Sequence, residues 1–271
     1  GIISHSEPGD DGSPLASIKF DDVISQLSDD MIAYRNRGID VVPENYTSAA
    51  STNFKSENWK EIASRVYSRS DIDGAVIIHG PDVMDYTASA LSFMLEKLRK
   101  PVVLTGGFKS LPELKPKARE DIAAAVSIAA GLDVSREKSI PIIPEVCVYT
   151  RRRVSNSKDL GRDTVKLLRG NRAIQYDTDG GFESLNYPPL CEDDLFFKSE
   201  NILQMPDDSQ PSSLYTNLDD RIVLLSWENN ISDERTLRQV IENQLVCDPK
   251  AIVVNSVLST DSGSVPKILK V

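Results

Sequence analysis

Residues 79–106 read HGPDVMDYTASALSFMLEKLRKPVVLTG, and the apolar run GAVII at residues 74–78 leads into them. The pattern is a buried strand, a tight polar turn at His79, Gly80, Pro81 and Asp82, a helix over 84–99, a second strand over 101–105, and a second polar turn at Thr105, Gly106 and Gly107. Short continuous apolar runs flanking a helical pattern mark parallel strands joined by a crossover helix. Open sheets of this kind bind ligands beyond the carboxyl ends of their strands. The two polar turns are therefore where function is expected.

Outward from this unit the same alternation continues. Residues 17–35 carry Ile18, Phe20, Val23, Ile24, Leu27, Met31 and Ile32 at helical spacing. Residues 39–42 read as a short strand, 56–68 as a helix with Trp59, Ile62, Ala63 and Val66 on one face, 118–130 as an Ala-rich helix ended by Gly131, and 146–150 as a strand. The polar stretch 155–164 reads as an inserted loop, and 167–172 lead into an irregular segment ending at Pro188 and Pro189. Strands alternating with helices imply an α/β fold, a mostly parallel sheet with flanking helices. Residues 200–213, rich in Asn, Gln, Pro, Asp and Ser, read as a linker. A strand at 221–225, a helix at 234–244 and a strand at 251–254 follow. The expected organisation is an N-terminal α/β domain over 1–199, the linker, and a smaller, incomplete C-terminal α/β domain over 214–271.

With 271 residues, 40% of them hydrophobic, the chain can bury a core, and no run approaches a membrane span. A net charge of −10 argues against nucleic acid or anionic membrane as the main partner. Arg151, Arg152 and Arg153 form a compact basic run without interleaved aromatics, expected on a solvated loop. Cys147, Cys191 and Cys247 are odd in number and far apart, with no metal spacing. They point to a reducing compartment, cytoplasm or mitochondrial matrix, and no cofactor or metal is expected. Cys147, inside Val146-Cys147-Val148-Tyr149, is expected to be a buried strand residue rather than a nucleophile. The first residue is Gly and no targeting segment is visible, so the start is expected to be processed or truncated.

Three blocks resemble the bacterial-type L-asparaginases of the type I branch. The first is Ala50-Ser51-Thr52-Asn53-Phe54 followed by Trp59, Ile62 and Ala63, similar to D-S-[ST]-x-M, W and I-A. The second is residues 79–106, where the family reads H-G-T-D-T-M-x-Y-T-A-S-A-L-S-F-M-L and then P-V-V-L-T-G. The third is Arg169-Gly170-Asn171-Arg172, then Phe182, Ser184, Asn186 and Pro188-Pro189-Leu190, similar to R-G-N-R, F-x-S-x-N and a proline pair. The resemblance implies the asparaginase-like fold and hydrolysis of an amide through a threonine acyl-enzyme. It implies a first threonine in a T-G-G-T-I turn, an assisting tyrosine, and a second threonine and an aspartate in H-G-T-D working with a lysine. A hydroxyl nucleophile needs a base within hydrogen-bond reach, and ammonia needs a positioned proton source.

Set against that pattern, this chain lacks most of the chemistry. Ile2, in Gly1-Ile2-Ile3, aligns with the nucleophile and has no hydroxyl. Pro81 replaces the second threonine, bringing neither a hydroxyl nor a backbone N–H. Gln175 aligns with the relay lysine, and Lys166 lies on the wrong side of the motif. Ala50 replaces the substrate-binding aspartate. Catalytic residues are thus absent at Ile2, Pro81 and Gln175, while Ser51, Asp82 and Thr105 persist as a substrate-binding remnant. Asp82 also reads as a cap for the following helix and Ser51 as a structural residue. Beyond Ser256 the family's Y-G-x-G-N segment is replaced by Val257-Leu258-Ser259-Thr260-Asp261.

Two readings follow. One is a pseudoenzyme, an asparaginase fold kept as a structural or interaction subunit whose partners are other protein subunits, in a homo-oligomer or a larger assembly. The other is an amino-acid sensor for aspartate or asparagine, or a diverged asparaginase.

Overall fold

A computed structural model of the chain describes residues 20–46, 53–106, 116–133, 138–153, 163–176, 181–192, 196–219, 221–227 and 250–256. Its helices are α1 (Phe20–Gln26), α2 (Ser28–Arg35), α3 (Ser56–Ser68), α4 (Met84–Met94) and α5 (Pro116–Ala130). Its strands are β1 (Ala75–His79), β2 (Leu95–Glu96), β3 (Val102–Gly106), β4 (Leu132–Asp133), β5 (Lys138–Ser139), β6 (Val146–Arg153), β7 (Asp163–Arg169), β8 (Ile174–Gln175), β9 (Phe182–Glu183), β10 (Cys191–Glu192), β11 (Phe196–Phe197), β12 (Ser213–Leu214), β13 (Ile222–Trp227) and β14 (Ala251–Ser256). The chain divides into Gly1–Thr216 and Asn217–Val271.

In the first unit the central sheet runs β1-β3-β6-β7-β10-β11. β1, β3 and β6 are parallel neighbours, and β7, β10 and β11 extend the sheet antiparallel. The expected α/β architecture is present, with α4 linking β1 to β3 and α5 linking β3 to β6. Helical spacing decides what each helix buries. α4 turns Met84, Ala88, Leu91 and Met94 onto Ile77, Leu104 and Val148, joined by Ile62, Ala63 and Val66 of α3. α5 packs Ala125, Ile128 and Ala129 on the other face, against Val103, Cys147 and Tyr149. Cys147 is a fully buried strand residue, and burial beside Glu145 pushes its thiol pKa up. In the second unit β13 and β14 pair in parallel, from Ile222 opposite Ala251 to Trp227 opposite Ser256. The helix expected over 234–244 lies outside the described residues.

Several expectations are corrected. The helix expected over 84–99 stops at Met94. Leu95 and Leu98 continue the apolar spacing, but Leu95 enters a strand that pairs with Leu214, and Lys97 turns with φ 54°. Residues 17–35 hold two helices broken at Leu27, where Ser28 Oγ donates to Ser25 O at 2.8 Å. Residues 39–42 form no strand. Gly38 turns with φ 79°, and Ile39 and Val41 pack beside α1 and α2. Residues 163 and 164, read as the end of an inserted loop, and 167–169, read as the lead into an irregular segment, lie in strand β7.

The arginine run is no solvated loop either, since all three residues lie in β6. Arg151 bonds Asp121 at 2.7 Å and Glu120 at 3.1 Å on α5, and approaches Asp163 on β7 at 3.7 Å. Asp163 also pairs with Lys117. Burial outweighs the arginine and pushes the Asp121 carboxyl up to about 6. An acid raised in the folded state opposes stability above that pH, and the cost is relieved as pH falls from about 6 toward its ordinary 3.8. Among the described residues no helix is long and apolar enough to cross a membrane.

Candidate functional site

β1 and β3 end side by side, with Ile78 opposite Thr105 and His79 opposite Gly106. Beyond His79 the chain makes a 3-10 turn, Pro81–Val83, and enters α4 at Met84. Pro81 takes the first position of that turn, where a missing N–H costs nothing. Asp82 follows it and is exposed.

His79 itself is buried, 3% exposed, and held at both ring nitrogens. Nδ1 lies 2.7 Å from the Gly80 carbonyl, which only accepts, so Nδ1 carries the proton. Nε2 then accepts from the Thr87 hydroxyl at 3.0 Å, and that hydroxyl accepts the Trp59 indole N–H at 2.9 Å. The Phe54 ring meets the imidazole edge-on at 4.9 Å. This chain of bonds ties α3, α4 and the end of β1 together with every polar atom satisfied. Burial, which disfavours charge, pushes the His79 pKa from 6.5 down to about 4.

The sign of the resulting linkage is definite. The folded chain holds a neutral ring while the unfolded chain protonates near 6.5. Stability from His79 is therefore complete above pH 6.5 and drains as pH falls toward 4, by about 3 kcal/mol. The chain has 2 histidines, so proton NMR of the imidazoles checks this directly. One ring should stay neutral at pH 5.5, and two rings titrating near 6.5 would contradict the buried network.

The capping expected of Asp82 is not what the structure has. Neither Gly80 nor Val83, the cap positions, has a side-chain cap bond. Asp85 serves the helix start instead, accepting from Tyr86 N–H at 2.9 Å and Gln175 N–H at 3.2 Å. Gln175, expected at the lysine position, sits on β8 beside the start of α4. Lys166 donates to Glu183 at 2.7 Å, so its ammonium is held by a carboxylate. Thr105 is buried on the opposite face of the sheet from His79. Strand alternation sets Ile77, Leu104 and Val148 toward α4 and leaves Ile78, Thr105 and Tyr149 toward the other side. Thr105 is thus buried on the face away from α4, and Asp82 is exposed in the turn that leads into α4. Ile2, Ala50 and Ser51 lie outside the described residues. Among the described residues no His, Cys, Asp and Glu side chains gather as a metal site requires.

Two close approaches lock the sheet, Gly106 at the carboxyl end of the parallel strands and Gly170 at their amino end beside Val146. A Cβ on Gly106 would stand 1.7 Å from the His79 carbonyl oxygen. One on Gly170 would stand 2.7 Å from Ser92 Oγ and 2.9 Å from Val146 O. Next to Gly170, Arg169 Nε donates to Glu145 at 2.5 Å, its Nη2 reaches Asn201 O at 2.9 Å, and its guanidinium stacks on Tyr187 at 4.3 Å. The Arg-Gly-Asn-Arg words are thus structural at Arg169 and Gly170. The partners Trp59 and Glu145 carried no mark in the sequence as polar partners, being 28 positions from Thr87 and 24 from Arg169 along the chain.

Comparison with known proteins agrees with this architecture. The family described as Asparaginase, N-terminal, matches residues 4–202. L-asparaginase 1 of Escherichia coli strain K12 is 35% identical over 159 residues, 58% of this chain and 40% of that protein. A glutamyl-tRNA(Gln) amidotransferase subunit of Thermoplasma acidophilum is 31% identical over 185 residues, 67% of this chain and 41% of that protein. The chain thus spans 40–41% of the length of these two relatives. The crystal structure of L-asparaginase I from Vibrio cholerae superposes with a TM-score of 0.68 at 26% identity, covering 98% of this chain and 73% of that one. By the family match over residues 4–202, the chain belongs to the asparaginase family.

Proposed function

We propose that this chain is a catalytically silent asparaginase-family protein that serves as a structural or interaction subunit. The observation that carries the reading is Pro81, the first residue of the turn between Gly80 and Asp82. The family pattern has threonine there, and proline supplies neither hydroxyl nor N–H at the edge where the fold places its chemistry. Further support comes from groups already committed elsewhere. Thr87 serves His79 and Trp59, Lys166 serves Glu183, and Thr105 faces away. A subunit role is in keeping with similarity to a protein named as part of an amidotransferase. Purified chain should release no ammonia from L-asparagine or L-glutamine, and turnover abolished by Asp82→Ala would overturn the reading.

The second reading, an aspartate or asparagine sensor, is favoured by one observation. Asp82 stays exposed at the carboxyl edge of the sheet, without the capping duty expected of it. A ligand that binds only the folded state raises its melting temperature by mass action. The scaffold reading predicts no shift with L-aspartate, and a saturable rise lost in Asp82→Ala supports the sensor.

A further inference from the structure

We propose that residues 201–216 are a two-point clasp on the first unit, and that its second point opens while the first stays closed. The stretch expected as a linker, 200–213, is bonded to the first unit near both of its ends. At the first point Arg169 Nη2 donates to Asn201 O at 2.9 Å, and Leu203 N–H donates to the Glu145 carboxylate at 3.3 Å. The side chains of Arg169 and Glu145 are 13% and 7% exposed, so this point is held by charges that water barely reaches. At the second point Ser213 and Leu214 pair with Glu96 and Leu95, Tyr215 N–H donates to Met94 O at 2.8 Å, and the Tyr67 hydroxyl donates to Ser212 O at 3.2 Å.

The two points differ in what opening them costs. The second is a bridge of 2 residues with neutral hydrogen bonds, an exposed Tyr67 and a half-buried Leu214. Opening it breaks a few bonds that water replaces. Opening the first strands a buried charge, which is far more expensive. Between them residues 204–211 stay at the surface, exposed except for the half-buried Pro206. Pro206 and Pro211 have no N–H to leave unpaired, and the exposed Asp208–Arg99 pair adds little. Segments with few buried contacts and exposed bonds open locally, well below the free energy of global unfolding. The consequence lies in the tether. With the second point closed, the first unit holds the chain as far as Tyr215, just before the second unit begins at Asn217. With it open, Leu203 is the last residue held, and residues 204–216 become free chain, each adding up to about 3.3–3.6 Å of reach. Linker length sets how often a tethered unit meets a partner, so the clasp regulates the search of the second unit. The device uses no residue that proposed inactivity removes, so it stands apart from that reading.

Native-state hydrogen exchange of the whole chain, in a series of low urea concentrations, tests it. Gly170 N–H, bonded to Val146 O at 2.8 Å, reports opening of the whole unit. The Tyr215 amide should exchange about 100-fold or more faster than the amides of Leu203 and Gly170. Its rate should stay flat in low urea, because a local opening exposes little surface, while the Gly170 rate climbs. Glu145→Ala should speed Gly170 exchange and leave Tyr215 unchanged, because the second point opens with the Glu145 bonds still made. Tyr215 and Gly170 exchanging at one rate with one urea dependence overturns the proposal, since the clasp then opens only with the whole unit. Leu203 exchanging together with Tyr215 overturns it as well, since both points then open at once. The urea series on the parent chain decides the matter even where Glu145→Ala fails to fold.

Discussion

Glu145→Ala should lower the unfolding midpoint by on the order of 10 °C. The Glu145 carboxylate is buried and accepts from Arg169 Nε at 2.5 Å, Arg169 Nη2 at 3.2 Å and Leu203 N–H at 3.3 Å. The pair joins the segment before β6 to the end of β7 and to residues 201–203. Forming such a pair brings little net stability, because desolvating two charges offsets their attraction. Breaking it is different. Alanine leaves the largely buried Arg169 guanidinium without its carboxylate, which costs about 3–5 kcal/mol. At about 2–4 °C per kcal/mol for a unit of this size, the shift is readily measured by calorimetry. Replacing both residues with Met should recover most of the loss, since no charge is then stranded. A single variant as stable as the parent would show that the pair is solvated.

Gly106→Ala should cost about 3 kcal/mol or more, read as a lower urea midpoint. The added methyl would stand 1.7 Å from the His79 carbonyl oxygen and 3.1 Å from Met84 Cε. Met84 can yield, but the His79 backbone cannot shift without disturbing its register with Gly106 and the ring's bond to Thr87, whose hydroxyl also holds Trp59. Overpacking against backbone is the expensive kind. Gly38→Ala supplies the contrast. Gly38 has φ 79° and nothing within 4 Å, so alanine there incurs only left-handed strain, about 1–2 kcal/mol. Equal losses in the two variants would mean that the β1 and β3 ends are not locked together.

The sequence made the βαβ unit legible because its strands are continuous apolar runs and its turns hold Gly, Pro and Asp. The α3 boundaries, Ser56–Ser68, came out as read, since one apolar stripe of Trp59, Ile62, Ala63 and Val66 ends in polar residues. The end of α4 was not legible, because Leu95 and Leu98 satisfy a helical period while being buried by another route. The side of the sheet that Thr105 faces was hidden for a related reason. A strand buried on both faces shows no alternation, so VVLT gives no parity. Arg151 read as solvated because Asp121 lies 30 positions away and Asp163 follows a polar stretch. That Pro81 has no hydroxyl and Gln175 no amine needs no coordinates.

The proposed inactivity rests on the turn between β1 and α4, where Pro81 stands. The most direct measurement is ammonia and aspartate formation from L-asparagine by the purified whole chain, beside Asp82→Ala. Working enzymes turn over about 1–1,000 times per second, so a small remnant would be visible at high protein concentration. The account predicts identical background rates for the two proteins. Stoichiometric ammonia and aspartate from the parent chain, abolished in Asp82→Ala, would contradict it.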